Sequence, residues 1–207
     1  MAMLGEELMP KLIKYLSWTM EKVAESNDEK ARAHGGIASR MSVFQGLRRP
    51  AISLEKYMER IFRYANCSPS CFVVAYVYLE RFAHSQPSLP INSLNVHRLL
   101  ITSVMVAAKF MDDLYYNNAY YGRVGGISTT EMNYLELDFL FGLSFNLNIT
   151  PDTFHSYSSY LHKEMLMLHP PLHPPPHPPV VVASSAETSS WSNLKVQYNS
   201  CLNDEET

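Results

Sequence analysis

Long apolar runs, a cysteine framework and charge of one sign are all missing from this sequence, and each absence removes a class of function. No stretch reaches membrane length. The most apolar segment, 96–111, holds 16 residues, short of the about 20 that a span requires, and it carries Arg98 and Lys109. Cysteine occurs three times, at Cys67, Cys71 and Cys201. An odd, sparse set in a chain with its own core points to reduced thiols in the cytosol or nucleus. With 17 basic and 20 acidic residues the formal net charge is −3, so no basic excess calls for nucleic acid. The first residues, MAMLGEELMPKL, place two glutamates where a secretory signal needs a basic flank. Catalytic signatures are lacking too: there is no nucleophile elbow, HExxH, P-loop, GxGxxG or kinase set. Cys67 and Cys71 have no second pair of ligands for a structural zinc, and read as small apolar groups. The eight histidines are scattered or sit in a proline tract. A binding module is expected, not an enzyme, with no cofactor, metal, nucleic acid or membrane.

What is present is apolar and helical. Apolar residues make up 46% of the 207 positions, enough for one core of ordinary size. The chain is organised around NSLNVHRLLITSVMVAAKFMDD at 92–113, apolar on nearly every side of a helical wheel from Val96 to Met111. Such a helix is enclosed by others rather than laid on a surface, and Asn92 or Ser93 is placed to cap it. Arg98, Thr102 and Lys109 share one stripe with Met105 between them.

Amphipathic spacing of Leu8, Leu12, Leu16, Met20 and Val23 predicts a helix over Pro10–Glu25 that docks on its own domain or on a partner. Residues 26–50 read as a solvated linker with Gly35-Gly36 and four arginines. Ser53 caps a helix to Ala65, its inner side Leu54, Met58, Ile61, Phe62 and Ala65. Ser68-Pro69 opens another, largely apolar around, to about Phe82. The tyrosine-rich connector LYYNNAYYGRVGG leaves room for a short helix near 119–123, its glycines permitting unusual backbone angles. Ser128 and Glu131 form a capping box for a helix to about Leu143, and Thr150-Pro151 starts a last helix to about Met167. The tract HPPLHPPPHPP at 169–179 must be extended, and 184–207 is polar enough to remain disordered.

One constellation survives. Lys109 ends the most buried helix, and Glu136 falls inside an apolar stripe with Met132, Phe139, Leu140 and Leu143. A carboxylate there needs a counter-charge or strong donors. Physics alone leaves two accounts open: a core ion pair, or two rim groups offering hydrogen bonds to a partner backbone.

The run from NVHRLLITSVMVAAKF through YYNNAYYGRVGG to LELDFLFGLSFNLNITPDTF resembles the cyclin box of the plant U-type (P-type) cyclins, a group similar to the yeast cyclin that senses phosphate. YANCSPSCFVVAYVYLERF at 64–82 extends the likeness. The resemblance implies an all-α fold: a single cyclin box, five helices around a central buried one, with flanking N- and C-terminal helices. The expected division is an amphipathic helix over 1–25, the linker 26–50, the box with its following helix over 51–168, and a tail over 169–207. The resemblance further implies that Lys109 and Glu136 bind the kinase segment bearing a PSTAIRE-type helix, with Phe110, Leu140 and Phe145 as apolar neighbours. The partner would be a cyclin-dependent kinase, an A-type plant kinase among the candidates, and the setting cell division in the nucleus, the cytoplasm or both. The alternative is a kinase-binding scaffold or adaptor of the same fold without an activating role. Four features of other cyclins are not found in the sequence: a second box, the MRxIL substrate-docking patch, the LxCxE motif and the RxxL motif.

Overall fold

Twelve of the sixteen residues of the segment Val96–Met111 are buried, and the rest of the chain is arranged to bury them. A computed structural model describes residues 8–33 and 42–167. Seven helices occur among them: α1 (Met9–Ala33), α2 (Leu54–Ala65), α3 (Pro69–Ser85), α4 (Val96–Met111), α5 (Asn118–Gly125), α6 (Thr129–Gly142) and α7 (Pro151–Met167). The described residues contain helices and no strands. Helices α2 to α6 form the five-helix bundle, with α4 touching α2, α3, α5 and α6. Its apolar circumference is thereby removed from water, the dominant favourable term in folding. Helices α1 and α7 flank the bundle and pack against each other.

The helix starts follow from the sequence chemistry. Ser53 accepts from the backbone N–H of Lys56, Ser128 from that of Glu131, and Thr150 from that of Thr153, each satisfying a donor that the first helical turn leaves free. Two expectations differ in detail. Helix α4 is not capped by the side chain of Asn92 or Ser93; the backbone carbonyl of Asn92 accepts from Asn95 and Val96, while Asn95 Oδ1 accepts from the N–H of Asn92. The turn before the helix is thus tied into itself. The Glu131 carboxylate does not return to its own helix start but takes the Arg98 guanidinium at 2.6 Å, because an ionic hydrogen bond is stronger than a neutral one.

The expected linker 26–50 is largely built into the fold. Helix α1 runs on to Ala33: residues 29–33 are good helix formers, and 27 and 28 are held by bonds to the turn before α4. Asn27 donates to the Ile91 carbonyl, and Asp28 accepts from the N–H of Ser93. Phe44 is only 1% exposed and lies edge-on to Phe82 and Phe139. A single aromatic in a polar run has no periodicity to betray it. On α2, Tyr57 joins the inner side, whereas Phe62 is partly exposed and covers the edge of Phe72. Gly35-Gly36, Arg40 and the tract from 169 onward lie outside the described residues.

Of the three glycines in the connector, only Gly126 uses its conformational freedom, with φ +74° closing α5. Space is tight at Gly125, where a Cβ would meet Ile101 and Tyr57 at 3.2 Å.

Candidate functional site

The end of α4 is fixed from several directions, and this is what positions Lys109 and Phe110. Asp112, one residue past the helix, accepts from the N–H of Ser68 at 2.9 Å and from the Cys71 thiol at 3.4 Å. The hydrogen bond with Cys67 and burial both raise the Cys71 thiol, so it remains protonated and donates. Cys67 and Cys71 are free. The beginning of α3 is thereby tied to the end of α4.

Helix α5 is anchored from the other side. Tyr57 donates to the Gly125 carbonyl, Arg60 to that of Arg123, and Tyr120 to that of Tyr64. The turn into α6 is tight: Ile127 N–H donates to Gly122 at 2.9 Å. Asn117 caps α5 by accepting from the N–H of Tyr120. Its neighbour Asn118 is thereby directed at α4 and α6.

Lys109 Nζ lies 2.6 Å from Glu136 Oε1 and donates to Asn118 Oδ1 at 2.5 Å. Asn118 Nδ2 donates to Glu136 Oε2 at 2.7 Å and to Asn133 Oδ1 at 2.8 Å. The lysine and glutamate side chains are 25% and 20% exposed, so the pair sits at the rim of the core with part of each group open to solvent. An ion pair so placed contributes at most about 1 kcal/mol to stability. Further along the same α4 stripe the pair Arg98–Glu131 also faces α6.

Exposed apolar groups neighbour this pair along α4 and α6. Phe110 and Phe145 are each about half exposed, while Leu140 is partly buried against the core. Phe145 is unusual in its backbone. It and Ser144 have φ of +57° and +50°, a conformation that costs a side-chain-bearing residue about 1 kcal/mol. The turn is held by Phe145 N–H donating to Leu140 and Ser144 N–H to Phe141. Strain of this kind clusters at functional sites. Phe145 lies edge-on to Phe141, with ring centres 5.2 Å apart.

The residues that sequence reading missed are Phe141, 67% exposed, and Leu137, Met111 and Leu114, also exposed. Periodicity could not find Leu137 and Phe141, because α6 is apolar on its inner side as well (Met132, Leu135, Phe139). Exposed apolar side chains at the end of α4, along α6 and in the turn after it, a collar flanking the ion pair along the chain, suit a protein-binding surface. Among the described residues no three of His, Cys, Asp and Glu come together to hold a metal ion, and no helix is long and apolar enough to cross a membrane.

The model of the Cyclin family matches residues 10–147, from the second residue of α1 through the turn that presents Phe145. The chain belongs to the cyclin family. Its relatives place it among the plant U- and P-type cyclins. It is 71% identical over 163 residues to Cyclin-U4-1 of Arabidopsis thaliana, covering 79% of this chain and 80% of that protein. It is 58% identical over 167 residues to Cyclin-P4-1 of Oryza sativa subsp. japonica (80% and 79%), and 46% identical over 160 residues to Cyclin-U1-1 of Arabidopsis thaliana (77% and 76%). A cyclin is a regulatory protein, and its general class of partner is a cyclin-dependent kinase. The bundle α2–α6 is the cyclin box of this chain, α4 its central helix, and Lys109 and Glu136 stand on its third and fifth helices.

Proposed function

We propose that this cyclin binds and activates a cyclin-dependent serine/threonine kinase of the PSTAIRE type and serves cell-division control, in the nucleus, the cytoplasm or both. The observation that carries the reading is the Lys109–Glu136 pair at the rim of the bundle, beside exposed Phe110, Phe145, Leu137 and Phe141. A helix of the kinase laid on this collar buries apolar area, which drives association. Lys109 has a donor to spare and Glu136 has lone pairs to spare beyond their mutual contact. Both can therefore meet backbone groups of the partner where water is excluded. Leu140 supports the collar from beneath.

The cyclin supplies no reacting group. It acts by holding the kinase helix inward, so that the kinase's own lysine–glutamate pair forms and its activation loop opens. The work is differential binding: the cyclin favours the active arrangement by the free energy with which it prefers that arrangement over the inactive one.

The test is capture of a panel of PSTAIRE-type kinases by purified cyclin, wild type beside the Lys109→Ala/Glu136→Ala variant. Binding by the wild type that is lost in the folded variant is expected. Equal capture by both would move the interface elsewhere on the bundle.

A further inference from the structure

We infer that Asn118 is a positioning residue for the kinase contact: its amide clasps Lys109 and Glu136 in the arrangement the partner meets. The inference rests on the kinase-binding reading and adds to it a residue on a third helix.

Lysine and glutamate at a rim are long, rotamer-rich side chains, and each immobilised side chain of this kind costs binding affinity. Here that ordering is done before any partner arrives. Asn118 Oδ1 accepts from Lys109 Nζ at 2.5 Å, and Asn118 Nδ2 donates to Glu136 Oε2 at 2.7 Å. With the 2.6 Å ion pair these contacts close a ring of three side chains from α4, α5 and α6. The amide is held in one orientation by its surroundings. Its oxygen must face the ammonium and its nitrogen the carboxylate, and its second hydrogen is taken by Asn133 Oδ1 at 2.8 Å. The amide has no net charge, so it orders both ions without competing for either. An aspartate in its place would draw Lys109 away and repel Glu136, and an alanine would leave both chains free to turn. The position itself is built: Asn117 caps the helix, and three bonds from α2 hold α5 in place.

The test has two readouts on the full chain. In the first, the side-chain ammonium resonance that Lys109→Ala removes is followed by nitrogen-15 NMR. It is expected in the wild type and lost in Asn118→Ala, a result that needs no kinase. In the second, the Kd for the captured kinase is measured. Asn118→Ala is expected to weaken binding about tenfold, and Asn118→Asp, of equal size, at least as much. In a Glu136→Ala background the same Asn118→Ala change is expected to alter Kd by less than about twofold, since the clasp is already broken. The inference is overturned by an unchanged Kd and a retained resonance in Asn118→Ala, by Asn118→Asp binding like the wild type, or by equal weakening in both backgrounds. Should Lys109→Ala and Glu136→Ala both leave binding intact, the kinase-binding reading fails, while the resonance still decides whether the clasp exists.

Discussion

Replacing Glu80 by glutamine should make this cyclin more stable at neutral and alkaline pH, and should leave it little changed in mild acid. Glu80 lies on α3 and is 4% exposed. Its carboxylate accepts from the Tyr157 hydroxyl of α7, and among the described residues no ion pair reaches it. The neighbouring Arg81 points to the carbonyls of Asn146 and Asn148 instead. Burial raises the Glu80 carboxyl from 4.5 to about 7, and the Tyr157 bond keeps it from rising further. The sign follows from linkage. Below about pH 4.5 both folded and unfolded chains hold the proton, and Glu80 costs nothing. Between about pH 4.5 and 7 the unfolded chain has released it while the folded chain keeps it, so stability falls as pH rises. Above about pH 7 the loss levels off at about 3 kcal/mol. Glutamine keeps the shape and the acceptor for Tyr157 at every pH, though its buried –NH2 needs a partner, which returns about 1 kcal/mol. Urea unfolding followed by far-ultraviolet circular dichroism is therefore expected to show Glu80→Gln about 2 kcal/mol more stable than wild type at about pH 8 and equal or slightly less stable at about pH 5. A difference that does not vary with pH, or a variant less stable at pH 8, would refute the argument, because it would mean that the buried charge is compensated.

Two further substitutions probe the end of α6 and the turn after it. A Cβ at Gly142 would lie 2.3 Å from the Phe82 ring, which is stacked on Phe139 with centres 4.9 Å apart. Gly142→Ala is expected to cost roughly 1–3 kcal/mol in chemical denaturation, and wild-type stability would mean that the ring is free to yield. Phe145→Gly relieves about 1 kcal/mol of left-handed backbone strain and loses about as much in ring contact with Phe141. Its unfolding midpoint should stay near wild type while kinase capture falls; a large loss of stability with capture unaffected would show Phe145 to be a structural residue.

The bundle was legible in the sequence wherever short-range chemistry decides structure. Ser53, Ser128 and Thr150 announce helix starts, and the unbroken apolar circumference of 96–111 announces an enclosed helix. The pairing of Lys109 with Glu136 could be foreseen because a carboxylate in an apolar stripe requires a counter-charge. What escaped depends on contacts distant in sequence. Helix α1 outlasts its apolar stripe because Asn27 and Asp28 bond to the turn before α4. Phe44 plugs the core from a polar run, and Glu80 hides in a segment that reads as apolar all round. Leu137 and Phe141 could not be told from core residues, since which side of α6 remains uncovered is set by the packing of the other helices. Asn118 looked like one polar residue among several in a connector until α5 brought it between the two ions.

The measurement that tests the account most directly is phosphate transfer by a PSTAIRE-type kinase to a peptide substrate, read with the kinase alone, with this cyclin, and with its Lys109→Ala/Glu136→Ala variant. Low activity is expected for the kinase alone, a large rise with the wild type, and a rise that is lost or strongly reduced with the folded variant. Capture of the kinase without any rise in phosphate transfer would contradict it and leave a scaffold of cyclin fold.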